Sequence, residues 1–463
     1  MENFWDFNVW GSFNVLAVLL ISLLAANMLK KAIPWLQASL IPTSVLGGGI
    51  LIVVAGIYKA ITGDIMFDTP FFGGNGTAQL EIITYHTLAL GFIASAFKSS
   101  KNKMTKQRTV EIFNTGVTTV STYLLQAVFG FGISMIACLF MKDFFPAAGV
   151  LLPFGYGQGT GQAMNYGTIY ETQFGFAGGK SFGLTIAALG FLSASIGGVI
   201  HLNILKKRGK ITSQRTEEGA IRSEQIQSEN EIPMQESMDK LTVQVALIAV
   251  AYVLAYLLMF LLGNLLPGMK SVIFGFNFLL GVLAATLVKF VMNFLKKKNV
   301  IKKDYTNDFL MTRTSNFFFD IMVVAGIAAI RLGVLQNYWG IILIMGVVGL
   351  VITYVYNYIV AKTLFKAYQE EQFLAMYGML TGTASTGIIL LREIDGDFKT
   401  PASDNLVYQN FPAIVFGFPM MLLATLAPVK PMLTFVILFL FFLVMNVILF
   451  RSKLFRRKKA AIN

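Results

Sequence analysis

The sequence predicts an all-α polytopic membrane protein with two inverted-topology repeats, each of five transmembrane helices and one re-entrant hairpin, plus an added C-terminal helix. Its 463 residues are 55% hydrophobic and only 13% charged, whereas soluble chains carry about 25% charged residues. Two glycine-rich polar stretches interrupt the apolar runs at corresponding places in the two halves. The net charge of +13 comes from Lys and Arg in short loops beside apolar runs, which is typical of cytoplasmic loops rather than of a nucleic-acid-binding surface.

The first half, residues 1–206, contains five apolar runs of the length that crosses a bilayer, about 20 residues. The first run is too long for a cleavable signal sequence and lacks a basic start, so we expect it to remain as a spanning helix. Between the fourth and fifth runs, the segment 144–171 is interrupted by Pro153 and several glycines, which predicts a re-entrant hairpin instead of a plain helix. The five predicted spans are residues 10–28, 41–58, 82–97, 117–140 and 182–205.

The second half, residues 241–428, repeats this arrangement after a polar segment, residues 207–240. That segment is too polar to span and is predicted to be a cytoplasmic linker. The second interrupted segment, residues 364–393, is predicted to be the second re-entrant hairpin. The final part, residues 429–463, holds an eleventh span and a strongly basic tail. The spans predicted after the linker are residues 241–266, 272–295, 316–335, 339–360, 406–426 and 432–450.

The distribution of Lys and Arg predicts the orientation of the chain. With the N-terminus outside and each hairpin returning to its own side, every basic loop, the central linker and the C-terminal tail are cytoplasmic. The acidic loop with Asp64 and Asp68 is then outside. Five spans precede the linker, so the two halves enter the membrane in opposite senses. If either interrupted segment crossed fully, basic loops would lie on both sides.

Both interrupted segments contain the motif Gly-x-x-x-Gly-Thr, at Gly155–Thr160 and Gly378–Thr383. In secondary transporters, broken helices in inverted repeats form a solute site near the midplane. The motif also marks close helix packing, but packing does not require the neighbouring amides and hydroxyls. The substrate-binding residues predicted from the two segments are Gln158, Gly159, Thr160, Gln162, Asn165, Thr381, Gly382, Thr383, Ser385 and Thr386.

The chemistry of these stretches suits an anionic solute that is coupled to a cation. At a hairpin tip the second arm begins a helix, whose free N–H groups and positive dipole end favour a carboxylate. Glycine allows close approach of the backbone, and the freed carbonyl groups can coordinate Na⁺. We therefore predict Na⁺-binding roles for Gly155, Gly157 and Gly378.

Two charged residues, Asp320 and Arg331, lie within the predicted span 316–335. Their spacing puts them on one helix face, about 16 Å apart along the axis. Charges inside the membrane are functional candidates, so Arg331 is predicted to hold a substrate carboxylate and Asp320 to bind Na⁺ or a proton. A structural ion pair with another helix, or snorkelling to the interface, is the alternative for both.

The arrangement resembles the bacterial sodium/glutamate symporter family over nearly the whole chain. Tyr156–Ala163 is similar to that family's first hairpin motif, usually Gly-Gly-His-Gly-Thr-Ala, and Gly378–Gly387 is similar to the second. Ala325–Leu332 resembles the family's Ser-Leu-Arg-Leu region. Gln158 stands where the family usually has His, Tyr156 stands where it has Gly, and the basic-tailed helix is added. The resemblance implies Na⁺-coupled glutamate uptake across the cell membrane and a homodimer.

The leading hypothesis is a secondary symporter that moves glutamate or a similar carboxylate with Na⁺ by alternating access. A carrier of di- or tricarboxylates, or coupling to H⁺, is the alternative within transport. The sequence has no P-loop, no His-Glu-x-x-His and no Gly-x-Ser-x-Gly, so we expect neither an ATPase nor an enzyme. Inverted hairpins favour alternating access over a channel. The two histidines and the single Cys138 have no ligand spacing, so no cofactor or transition-metal site is predicted.

Overall fold

The computed structural model describes residues 3–98, 105–210, 230–234, 237–396 and 399–454. Within these residues the chain is helical, and an isolated bridge between Glu231 and Asp304 is the only β pairing described. Most of the predicted linker, residues 207–240, lies outside the described part.

The helices of the first half are α1 (Phe7–Ala32), α2 (Pro34–Ala38), α3 (Thr43–Thr62), α4 (Gly76–Ala96), α5 (Lys106–Phe140), α6 (Leu151–Phe174) and α7 (Gly179–Lys207). The later helices are α8 (Lys240–Leu265), α9 (Lys270–Gly275), α10 (Asn277–Lys297), α11 (Asp308–Ala328), α12 (Trp339–Leu364), α13 (Gln369–Thr381), α14 (Ala384–Arg392), α15 (Ala402–Tyr408), α16 (Asn410–Leu426), α17 (Pro431–Leu449) and α18 (Arg451–Leu454). Short 3₁₀ turns occupy Met66–Asp68, Pro70–Phe72, Pro146–Val150, Pro267–Met269 and Leu332–Leu335.

Eight of the described helices are long and apolar enough to cross a bilayer, judged by length and composition: α1, α3, α5, α7, α8, α10, α12 and α17. This result confirms a polytopic membrane protein. The other three predicted spans also form helices, namely α4, α11 and α16. The predicted span 406–426 is divided at Gln409 into α15 and α16, and Pro419 lies inside α16.

The predicted span 316–335 is displaced in the structure, where α11 starts at Asp308 and ends at Ala328. The Asn307 side chain caps the start of α11, because its oxygen accepts the Leu310 N–H at 2.7 Å. Arg331 therefore lies beyond the helix, with extended backbone and an exposed side chain. The prediction that Asp320 and Arg331 share one helix face is wrong. Hydropathy did not mark the helix end because the residues that follow, Ala329 to Leu335, are apolar apart from Arg331 and Gly333.

Helix α6 reverses direction at Gly159, where φ is 79° and ψ is −170°. The rings of Phe154 and Tyr166 stack with their centroids 3.8 Å apart, whereas twelve residues of unbroken helix would separate them by about 18 Å. Further from the turn, the rings of Phe145 and Tyr170 lie 5.2 Å apart. The segment is therefore two antiparallel arms joined at Gly159, and we call Leu151–Phe174 hairpin 1.

A second reversal joins α13 to α14 through Gly382 and Thr383, and we call Gln369–Arg392 hairpin 2. Its arms touch through glycine, since a Cβ on Gly378 would lie 2.8 Å from the Cα of Gly387. A larger residue at either position would push the arms apart.

Helix α7 packs against both hairpins, at different points along its length. Near its start, Gly179 packs on the second arm of hairpin 1, and at its middle, Gly190 packs on the Thr381 carbonyl. Near its end, His201 Nε2 lies 3.0 Å from Glu370 Oε2, at the base of hairpin 2. From Gly179 to His201 the helix rises about 33 Å. The bases of the hairpins thus lie at opposite ends of α7, and their tips are level with its middle.

Several basic chain ends lie at the same end of the bundle as the base of hairpin 2. Lys210, after α7, lies 3.0 Å from the Glu370 carboxylate. Arg108, at the start of α5, lies 3.7 Å from Asp404. Arg451, after α17, packs its guanidinium on a phenylalanine ring in the N-terminal part of α5. The start of α5 and the ends of α7 and α17 therefore share one end of the molecule.

Candidate functional site

The tips of the two hairpins meet in the middle of the bundle. The backbone of Gly159 has positive φ combined with extended ψ, a conformation that is essentially restricted to glycine. A Cβ at this position would lie 3.5 Å from Thr383 Cγ2 and 3.8 Å from the Gly382 carbonyl oxygen. Glycine at the turn of hairpin 1 therefore allows the two tips to come into contact.

A cavity of about 130 Å³ lies beside the two tips. Hairpin 1 contributes Gly157 and Gln158 to its wall, and hairpin 2 contributes Gly382, Thr383 and Ala384. Met379 of hairpin 2 also lines it, and the remaining walls come from α4, α5, α10, α11, Gln409 and α16. The structure thus brings together Gly157 and Gln158 with Gly382 and Thr383, although more than 200 residues separate the two pairs in the chain.

Helix α14 begins at the cavity. Thr383 is its N-cap residue, and no side-chain hydrogen bond caps the first N–H groups. The Thr383 hydroxyl instead lies 3.3 Å from that of Thr386. Free N–H groups at a helix start, with the positive end of the dipole, favour an anion. The wall at Thr383 and Ala384 can therefore receive a carboxylate.

Polar residues of α5 that sequence analysis did not select also line the cavity. The Tyr123 hydroxyl donates to the Gly157 carbonyl at 3.0 Å, and Thr119 lies one turn earlier on the same face. Tyr123 thus holds the backbone just before the tip of hairpin 1. The signal in the sequence was the dense run of hydroxyl residues at 118–123 inside an apolar span.

The amides of Gln409 and Asn410 form another polar part of the wall. Gln409 accepts a hydrogen bond from the Thr119 hydroxyl at 2.8 Å and donates one to Asn410 Oδ1 at 2.9 Å. These two residues follow the break between α15 and α16, a break that hydropathy did not predict. The other lining side chains are mostly apolar: Phe92, Phe278, Phe319, Met322, Met379 and Met421.

The predicted substrate residues on the second arm of hairpin 1 contact neighbouring helices and do not face the cavity. The Thr160 hydroxyl donates to the Met322 carbonyl of α11 at 3.2 Å. Asn165 donates to Gln162 Oε1 at 2.8 Å and to the Gly275 carbonyl at 3.1 Å. All three predicted residues are buried, and none lines the cavity described here. They join the second arm to α11 and to the end of α9.

The remaining predicted substrate residues are Thr381, Ser385 and Arg331, and the structure does not place Thr381 or Arg331 in the cavity wall. Thr381 is buried, and its hydroxyl donates to the Tyr377 carbonyl at 2.6 Å within α13. The side chain of Ser385 lies outside the described part of the chain. Arg331 donates its backbone N–H to Ser181 Oγ at 3.0 Å. Because Ser181 is in the first turn of α7, Arg331 lies level with the base of hairpin 1 and away from the tips.

The glycines that begin the two motifs are packing positions. A Cβ on Gly155 would lie 2.8 Å from the backbone nitrogen of Ala187, and Gly378 touches Gly387 as described above. Close packing therefore accounts for glycine at these two positions. Asp320 lies on an exposed part of α11, where its carboxylate faces the hydroxyl of Ser44 in α3. The adjacent Phe319 lines the cavity, but Asp320 does not.

Comparison with known proteins identifies a family. The sequence model of a family described as the sodium/glutamate symporter matches residues 9–398. Neither the curated proteins nor the solved structures give a significant match. The matched region contains both hairpins and ends before α15, so α16 and α17 lie beyond it.

Proposed function

The chain belongs to the sodium/glutamate symporter family, and on that premise we propose that it carries glutamate or a similar carboxylate together with Na⁺ across the bacterial cell membrane. The observation that carries this proposal is the contact of the two hairpin tips beside one cavity, whose wall includes Gln158 and Thr383. Broken helices that meet in this way form the midplane site of many secondary transporters.

The proposed topology is two inverted repeats, residues 1–206 and 241–428, joined by the cytoplasmic linker and followed by the added helix of residues 429–463. The bases of the hairpins lie at opposite ends of α7, which supports entry of the hairpins from opposite sides. The basic ends of α7 and α17 lie with the base of hairpin 2, which supports a cytoplasmic position for that base. The N-terminus is then outside, and the chain crosses eleven times.

In the proposed site, the solute carboxylate binds at the start of α14, against Gly382 and Thr383. Gln158 contacts the solute from hairpin 1 across the cavity, and Gly159 allows the tips to close on it. The predicted residues that do not line the cavity would act by fixing the two tips: Thr160, Gln162, Asn165, Thr381 and Thr386.

The placement of the hairpins supports a mechanism of alternating access. A movement that separates either hairpin from its surroundings would open the cavity toward that hairpin's side of the membrane, while the other hairpin keeps it closed. Following the family resemblance, we propose that the protein works as a homodimer.

Uptake by proteoliposomes tests this proposal. The purified full chain is reconstituted, and uptake of radiolabelled glutamate is measured with an inward Na⁺ gradient, with an inward H⁺ gradient and with neither. Saturable uptake that requires Na⁺ is expected. Non-saturable flux would indicate a channel, and uptake driven by the H⁺ gradient alone would contradict Na⁺ coupling. Aspartate, malate and citrate are then added as competitors, to distinguish a glutamate carrier from a carrier of di- or tricarboxylates. This comparison is needed because Gln158 stands where the family usually has His.

A further inference from the structure

Two buried amide oxygens beside hairpin 2 have no hydrogen-bond partner among the described residues: Gln126 Oε1 on α5 and Asn357 Oδ1 on α12. The two residues are 0% and 1% exposed. A buried acceptor without a donor loses the hydrogen bonds that it makes to water in the unfolded chain. Such groups indicate a bound water or ion that occupies the space.

The nitrogen atoms of both amides are already engaged. Gln126 Nε2 donates to the Thr353 hydroxyl and to the Leu380 carbonyl, each at 2.9 Å. Asn357 Nδ2 donates to the Thr353 carbonyl at 2.9 Å. If either amide were flipped, its oxygen would face a carbonyl oxygen, which is repulsive, so these contacts define the orientation. Both amides therefore contact Thr353, and neither oxygen accepts a hydrogen bond from the described part of the chain.

The end of α13 adds negative potential at the same place. This helix stops at Thr381, where the hairpin turns, so its last four carbonyl groups have no partners within the helix. They carry the negative end of the helix dipole. The Leu380 carbonyl is one of them and contacts Gln126 directly. A helix C-terminus beside unpartnered amide oxygens is an environment that favours a cation.

We propose that Gln126 Oε1, Asn357 Oδ1 and the carbonyl groups at the end of α13 bind the Na⁺ ion that drives transport. The inference rests on the proposed Na⁺ coupling. The ligands are neutral carbonyl-type oxygens, which suit a monovalent cation, whereas Ca²⁺ sites use carboxylates. Half-helix C-termini provide such ligands for Na⁺ in other transporter folds.

This site lies immediately before the residues that face the solute, since Leu380 is followed within three residues by Gly382 and Thr383 in the cavity wall. A Na⁺ ion held between α5, α12 and the end of α13 would fix the tip of hairpin 2. The solute would then bind a preformed tip, and by linkage the bound solute would increase the affinity for Na⁺ by the same factor.

Thermal unfolding of the purified full chain tests the assignment. The melting temperature is measured at increasing NaCl, with choline chloride keeping the ionic strength constant. We expect Na⁺ to stabilise the wild-type protein. Gln126→Leu and Asn357→Leu should each increase the Na⁺ concentration for half-maximal stabilisation by about tenfold or more, because a ligand oxygen is lost.

Gln244→Leu is the matched control, since Gln244 is also a fully buried glutamine but its oxygen accepts the backbone N–H of Asn307 at 2.9 Å. The control should retain the wild-type Na⁺ response from a lower starting temperature. Gln126→Glu keeps an oxygen at the site and adds negative charge, but its second oxygen faces the Leu380 carbonyl, so the variant should start from a lower melting temperature and be stabilised at lower Na⁺ than wild type. This variant decides the question if the leucine variants do not fold.

The failures of the two proposals are distinguishable. If Na⁺ stabilises the wild type and the Gln126 and Asn357 variants respond equally well, the site is wrong and Na⁺ coupling stands. If Na⁺ and choline have the same effect on the melting temperature of the wild type, both the proposed Na⁺ coupling and the proposed Na⁺ site are wrong.

Discussion

Gly159 and Thr383 face each other at the centre of the molecule, and a Cβ on Gly159 would lie 3.5 Å from Thr383 Cγ2. The two residues belong to hairpins in different halves of the chain, and each hairpin has its base at a different end of α7. One contact thus joins the two segments that bear the repeated glycine motif, and the cavity lies beside it.

Replacement of Gly159 by Ala should abolish most transport through backbone strain. There is room for a methyl group, but φ of 79° with ψ of −170° is unfavourable for alanine, which costs about 1–3 kcal/mol. We expect the tip to change conformation and Na⁺-driven uptake to fall at least about tenfold. Gly175→Ala is the matched control, because Gly175 also has positive φ (71°) with open space around it and lies at the base of hairpin 1. Equal uptake by the two variants would contradict a specific role for the tip.

Replacement of Thr383 and Thr160 by Val separates solute contact from tip support. Thr383→Val removes a hydroxyl from the cavity wall, so the KM for the solute should rise about tenfold. Thr160→Val removes the hydrogen bond to the Met322 carbonyl, so the melting temperature should fall and uptake should weaken. Both variants should still insert in the membrane, which is measured by their amounts in purified membranes. Full transport by both would refute the assignment of the tips.

Gln158→His should make uptake depend on pH. Gln158 lines the cavity, and an imidazole there would gain positive charge below about pH 6.5, the unperturbed pKa of histidine. Since a cation attracts a carboxylate, glutamate uptake by the variant should increase from pH 8 to pH 6 relative to wild type at each pH. Measurement of uptake at constant Na⁺ and several pH values checks this. A pH profile identical to wild type would place residue 158 away from the solute.

Tyr156→Phe tests the second departure from the usual family motif, after Gln158. Tyr156 is fully buried, donates to the Gly346 carbonyl at 2.6 Å and lies 2.9 Å from Ser193 Oγ. Loss of these hydrogen bonds should reduce stability by about 1–3 kcal/mol. The order in which solutes compete for uptake should stay unchanged, because Tyr156 does not line the cavity. A changed order of solutes would show that the tyrosine acts on recognition.

Labelling of the hairpin bases tests the inverted topology. Cys138, the single native cysteine, is first replaced by Ser, and Thr172→Cys or Ala367→Cys is then introduced. Both positions are exposed, one at the end of hairpin 1 and one just before hairpin 2. A membrane-impermeant maleimide should label residue 172 from outside the cell and residue 367 only in inverted vesicles. Labelling of both positions from the same side would exclude the inverted arrangement.

The general organisation of this chain follows from its sequence. Transfer of apolar side chains to lipid depends on composition and run length, so hydropathy located the spans, eight of which meet the criteria for a membrane-crossing helix in the structure. The two interrupted segments were evident because glycine, proline and polar residues are unfavourable in an isolated spanning helix. Gln158, Gly382 and Thr383 were predicted on that basis, and they line the same cavity.

Tertiary contacts decided the rest. Arg331 lies beyond α11 because the helix ends at Ala328, although the residues that follow are nearly as apolar as a spanning helix. Tyr123, Gln126 and Gln409 come to the hairpin tips through hydrogen bonds to distant residues. Hydropathy and periodicity report each residue's local preference, whereas a cavity between two hairpins depends on contacts between segments far apart in the chain. The sequence determined which segments are apolar enough to cross a membrane and where the two glycine-rich segments lie, and packing determined the break at Gln409 and which side chains face the cavity.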